Sequence, residues 1–93
     1  MTPEGEVKEE IKRNLDKLGV YYFCPVQMGY GKRTVDFLCC VNGKFVGIEA
    51  KAIGGKKLTK QQASILNKIM VSGGVGIVAT SWKDVYAYLY KVA

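Results

Sequence analysis

Val35-Asp36-Phe37-Leu38-Cys39-Cys40-Val41-Asn42-Gly43-Lys44-Phe45-Val46-Gly47-Ile48-Glu49-Ala50-Lys51 decides how this chain folds. Two β-branched and aromatic runs flank Asn42-Gly43, the strongest two-residue signal for a type I′ hairpin turn. The reading is a strand over 35–41, a turn at 42–43 and a returning strand over 44–52. A two-residue loop pairs Val41 with Lys44, so Leu38 falls opposite Gly47 and Asp36 opposite Glu49. Side chains alternate between faces. Asp36, Leu38, Cys40, Phe45, Gly47, Glu49 and Lys51 then share one face.

Two carboxylates facing each other across a strand pair repel, with Cβ atoms about 5 Å apart. A divalent cation between them removes the conflict. Lys51 adds a third polar group on the same face, and Gly47 is expected to leave room for a ligand. Oxygen donors without His or Cys select a hard cation, Mg²⁺ or Mn²⁺. Such an ion polarises a scissile phosphate and activates water. The competing reading makes Asp36 a polar strand-start residue and Glu49 with Lys51 a solvated face.

Outward from the hairpin, the elements follow local signals. Thr2-Pro3-Glu4 reads as a helix start, with Thr2 as N-cap and Pro3 as first helical residue. Val7, Ile11, Leu15 and Leu18 form its apolar stripe, and Gly19 stops it. Val20–Val26 reads as a strand whose end Pro25 places at a sheet edge or a bulge. Gly29-Tyr30-Gly31-Lys32-Arg33 and Gly54-Gly55-Lys56-Lys57 are basic loops. A helix is expected over 59–70, with a capping box from Thr59 and Gln62 and a buried face of Ile65, Leu66 and Ile69. A short strand over 75–80 follows. Ser81-Trp82-Lys83-Asp84 reads as a second capping box opening the last helix. The expected class is α/β, order α-β-β-β-α-β-α, in a single domain over residues 1–93.

Composition bounds the function. The chain has 93 residues, a formal net charge of +6 and no histidine. Lacking histidine, it has no His-based acid–base catalysis and no His-ligated metal. Three cysteines, two of them adjacent, suit neither a disulfide framework nor a zinc site and read as reduced cytoplasmic thiols. No apolar run reaches the ~20 residues needed to span a bilayer. Residues 1–18 carry four basic and five acidic side chains, whereas residues 19–93 carry ten basic and three acidic. A basic body points to a polyanion, nucleic acid before membrane surface. Solubility alone also accounts for such a charge.

Asp36 followed by Glu49-Ala50-Lys51 resembles the PD-(D/E)XK nuclease superfamily. The fuller pattern is similar to its virus-type replication-repair nuclease (VRR-NUC) branch, in the small stand-alone form carried by phages. The resemblance covers nearly the whole chain. It runs through Thr2-Pro3-Glu4-Gly5, Tyr22-Phe23 with Pro25-Val26, Gly29-Tyr30-Gly31-Lys32, Asp36-Phe37, Ile48-Glu49-Ala50-Lys51-Ala52, Leu58-Thr59 with Gln62, and Gly73-Gly74-Val75. Val35 departs from the proline that usually precedes the aspartate.

The resemblance implies a restriction-endonuclease-like core, a mixed sheet flanked by helices. It implies that Asp36 and Glu49 bind Mg²⁺ or Mn²⁺ with the Ala50 carbonyl, that Lys51 is the catalytic lysine, and that Glu4 assists the metal. Gln62 matches a glutamine that reaches toward the active site. Glu4 also suits the helix dipole, and Gln62 also suits its cap.

Lys32 and Arg33 on one side, and Lys56, Lys57 and Lys60 on the other, are candidate phosphate contacts; ordinary surface lysine is the competing reading. Tyr30 and Tyr22 are candidates for stacking on a base. The resemblance implies an endonuclease acting on branched DNA such as four-way junctions, as a homodimer, in the host cytoplasm if phage-encoded. Trp82, Tyr86, Tyr88, Leu89 and Tyr90 are the candidate dimer surface, with packing on the chain's own sheet as the alternative. A non-catalytic basic nucleic-acid-binding module, and a small protein whose basic face meets an acidic partner, are the alternative functions.

Overall fold

The computed structural model describes residues 1–26 and 33–91. Its elements follow the expected order. Helix α1 spans Pro3–Leu18 and strand β1 spans Tyr21–Phe23. Strands β2 and β3 span Phe37–Val41 and Lys44–Ala50. Helix α2 (Lys60–Val71), strand β4 (Val75–Ala79) and helix α3 (Trp82–Lys91) complete the chain. The sheet order is β1-β2-β3-β4. The first three strands are antiparallel, and β4 lies parallel to β3.

Local chemistry explains most boundaries. The Thr2 hydroxyl accepts the Gly5 N–H at 3.0 Å and opens α1. Gly19 ends it at φ 67°, a left-handed conformation that costs glycine little. Asn42 and Gly43 both have positive φ, 50° and 80°, as a type I′ turn requires. The β2–β3 register is the expected one, with Val41 opposite Lys44 and Leu38 opposite Gly47.

Helices cover both sheet faces. Ile11 and Leu15 of α1 and Val85 and Leu89 of α3 pack with Phe37, Cys39, Val46, Ile48, Ala50, Ile77 and Ala79. On the opposite face α2 lies close over β3 and β4. A Cβ built on Gly76 would meet Leu66, and one on Gly74 would meet Ile69 Cγ2 and the Phe45 carbonyl oxygen, each at 2.8 Å.

The structure corrects four expectations. Strand β1 covers three residues rather than seven, and β2 begins at Phe37 rather than Val35. Continuing the register would set Val35 opposite Ala50. Instead the Asp36 carboxylate accepts the Ala50 N–H through Oδ2 at 2.9 Å, so a side chain ends the ladder. Gly47 offers no room for a ligand, because a Cβ there would meet Ile69 Cδ1 at 2.5 Å and Val35 Cγ2 at 3.2 Å. The Ser81 capping box does not form as expected. Asp84 reaches back to the N–H and hydroxyl of Thr80, and Glu10 of α1 accepts the Trp82 N–H. A tertiary contact replaces a local cap there.

Candidate active site

Asp36 and Glu49 come together just ahead of β2 and near the end of β3. Both line a cavity of about 220 Å³ with Arg33, Thr34, Thr59, Gln61, Gln62 and Ile65. Glu49 is only 3% exposed, and its strand runs between β2 and β4. Burial pushes its carboxyl up to about 7. The charge of Asp36 and a hydrogen bond with it act in the same direction, while Lys51 and Lys8 oppose them. The Glu49 carboxyl therefore keeps its proton through the mildly acidic range, which relieves the like-charge contact with Asp36 there.

Gln62 serves two partners with one amide. Its Oε1 accepts the Thr59 N–H at 3.0 Å, and the Thr59 hydroxyl accepts the Gln62 N–H at 3.1 Å, completing the capping box. Its Nε2 donates to Glu49 Oε2 at 2.9 Å. Cap and site are thus occupied at once. Gln62→Glu separates them, since it keeps an acceptor for Thr59 but replaces the donor with a second negative charge. We expect the α2 cap to persist and the Glu49 carboxyl to move further above its ordinary range. Carboxyl ¹³C chemical shifts across a pH series check this.

Lys51 Nζ lies 4.0 Å from Glu49 Oε2, and the residue is 8% exposed. Its N–H donates to the Ala79 carbonyl at 2.9 Å, which fixes its backbone to the end of β4. The Ala50 backbone stands beside Asp36 through the hydrogen bond that ends the ladder. Asp36, Glu49 and the Ala50 carbonyl are the groups that could hold a divalent cation. Among the described residues, no cluster of three His, Cys, Asp or Glu side chains forms. Further ligands would have to be backbone oxygen, water or phosphate.

Glu4 reaches the site through an intermediary that sequence reasoning missed. Lys8 Nζ lies 3.5 Å from Glu4 Oε2 and 3.4 Å from Asp36 Oδ1. Burial works against the ammonium, but Asp36 and Glu4 outweigh it and hold the Lys8 pKa above that of ordinary lysine. The i,i+4 spacing of Glu4 and Lys8 was readable in the sequence. The tie to Asp36 needed the packing of α1 beside the hairpin.

The basic candidates separate. Arg33 lines the cavity. Lys56, Lys57 and Lys60 are exposed along the segment from β3 into α2, outside the cavity lining. Lys32 and Tyr30 lie outside the described residues. Tyr22 is a packing residue, its ring 6.1 Å from that of Phe37 and its hydroxyl donating to Asp16 at 2.6 Å. A second cavity of about 190 Å³ sits at the hairpin end, between Val41, Val46, Val75 and Leu89, and carries no carboxylate.

The raised Glu49 pKa sets a pH dependence. Between 4.5 and about 7 the folded chain binds more protons than the unfolded chain. Stability must therefore fall as pH rises through that window and level off above it. We expect the Tm of the metal-free protein to fall from pH 5 to about pH 7.5. Asp36→Asn should reduce the slope without removing it, because burial, the larger cause, remains. Calorimetry across pH checks both.

No protein-family model matches the chain, and no curated protein matches it significantly.

Proposed function

We propose that this chain is a Mg²⁺- or Mn²⁺-dependent endodeoxyribonuclease with a restriction-endonuclease-like core. The observation that supports this most is the meeting of Asp36 and Glu49 in one cavity, with Lys51 against Glu49 and Gln62 hydrogen-bonded to it. The donor set fits a hard divalent cation. Two carboxyl groups are crowded together, one of them deeply buried with its pKa raised to about 7, and a cation between them would relieve the repulsion of their ionised forms.

When bound, the cation polarises the scissile phosphate and activates water. Asp36, Glu49 and the Ala50 carbonyl would hold it. Gln62 keeps the Glu49 carboxylate turned toward the cavity. The Lys51 ammonium orients the attacking water and offsets negative charge that builds on the phosphate. As the water oxygen bonds to phosphorus and releases a proton to solvent, the phosphorus–oxygen bond to the departing strand breaks and the leaving oxygen takes a proton from solvent. Arg33 holds a neighbouring phosphate at the rim.

The substrate proposed is branched DNA, four-way junctions among it, cut by a homodimer. A chain this small has little surface for reading base sequence, so shape is the property it recognises. Leu89 is buried and Trp82 packs on the core, which leaves half-exposed Tyr86, Tyr88 and Tyr90 as the candidate dimer contacts.

Incubation of four-way junction, flap, nicked and linear duplex DNA with Mg²⁺, beside an Asp36→Ala control, tests the reading. Cleavage that favours branched forms and disappears in the control is expected. Salt-sensitive binding without cleavage would instead establish the non-catalytic module.

A further inference from the structure

Asp36 has two carboxylate oxygens with different commitments. Oδ2 accepts the Ala50 N–H at 2.9 Å. Oδ1 is the oxygen that the Lys8 ammonium faces, at 3.4 Å. The same ammonium lies 3.5 Å from Glu4. Glu49 has its own cation in Lys51, at 4.0 Å. Each central carboxylate therefore carries one lysine.

We propose that Lys8 is the resident counter-ion of the carboxylate site, competing with a divalent cation for Asp36 Oδ1 and displaced from it on binding. The inference rests on the metal-site reading above. Lys8 is a positioning residue here. It neutralises Asp36 and Glu4 while the site awaits its ion, and it weakens binding of the ion in return. Its long, partly exposed side chain can leave Asp36 while α1 stays in place. Loading would then free a positive charge at the edge of the cavity, where a phosphate arrives.

The physics makes the effect directional. An ammonium and a divalent cation that share one carboxylate oxygen repel, and the repulsion is damped because the Lys8 side chain is 41% exposed. Removing the charge must tighten cation binding. A purely structural role predicts unchanged or weaker binding instead.

The experiment is a titration of the full chain with Mn²⁺ in the absence of DNA, followed by isothermal calorimetry and by the electron paramagnetic resonance signal of free Mn²⁺. Lys8→Met keeps most of the side-chain stem, and circular dichroism checks its fold. We expect it to bind Mn²⁺ about 10-fold more tightly than the parent chain. Lys8→Arg restores the charge and should return affinity to within about 2-fold of the parent. Lys12→Met removes an equal charge from an exposed position one turn along α1, and should stay within about 2-fold as well. Equal or weaker binding by Lys8→Met overturns the inference, as does equal tightening by Lys12→Met. If neither the parent nor Lys8→Met binds Mn²⁺, the carboxylate pair is no cation site, and the underlying reading fails with the inference. Binding by the parent without tightening in Lys8→Met removes the inference alone.

Discussion

Lys51→Met should lower Mg²⁺-dependent cleavage by about 10³-fold while leaving the fold intact. Methionine replaces the stem of a buried side chain at similar volume, so packing against Glu49 is largely kept. What disappears is one positive charge close to where negative charge builds on phosphate. Glu49 also loses an opposing charge, so its carboxyl moves further upward in the metal-free protein. Lys51→Arg should not restore the rate, because a planar guanidinium cannot present a single donor from the same point. Single-turnover cleavage at saturating enzyme reads the effect, with circular dichroism as the folding control. Cleavage at the parental rate by a folded Lys51→Met chain would remove the lysine from the mechanism.

Gly74→Ala should be the more damaging of two small substitutions beneath α2, even though Gly47 shows the shorter gap. At Gly47 the nearest obstacle is Ile69 Cδ1, the far end of a flexible side chain. At Gly74 the obstacles include two backbone oxygens, those of Phe45 at 2.8 Å and Ile69 at 3.1 Å. The Gly74 N–H also donates to the Ile69 carbonyl at 2.8 Å, so the end of α2 is tied to this spot. Relief requires moving the helix away from the sheet. A cost of about 1–3 kcal/mol follows, or a Tm loss of roughly 4–24 °C. Thermal denaturation of both variants checks the order, and a Gly47→Ala chain less stable than Gly74→Ala would refute it.

Elements defined by neighbours along the chain were legible in the sequence. The Asn42-Gly43 turn, the Thr2-Pro3 start and Gly19 stop of α1, and the Thr59–Gln62 box all rest on residues within a few positions of one another. Alternation in the hairpin then set Glu49 and Lys51 on one face of the sheet. Readings failed where a distant residue intervened. Asp36 left the strand because its carboxylate found the Ala50 N–H. Ile69 took the space above Gly47 because α2 packs there. Glu10, which shares no local pattern with α3, took the first N–H of that helix. Lys8 went unread, because only the packing of α1 brings it to Asp36.

The shared amide of Gln62 also turns the start of α2 into a gauge. Whatever engages Glu49 pulls on Nε2, and the same rigid plane carries the oxygen that protects the Thr59 N–H. The backbone protons of Thr59 and Gln62, both held in the capping box, should therefore change their exchange rates with solvent when the cavity fills. Occupancy of a colourless, histidine-free cavity becomes visible from two amides at the mouth of a helix.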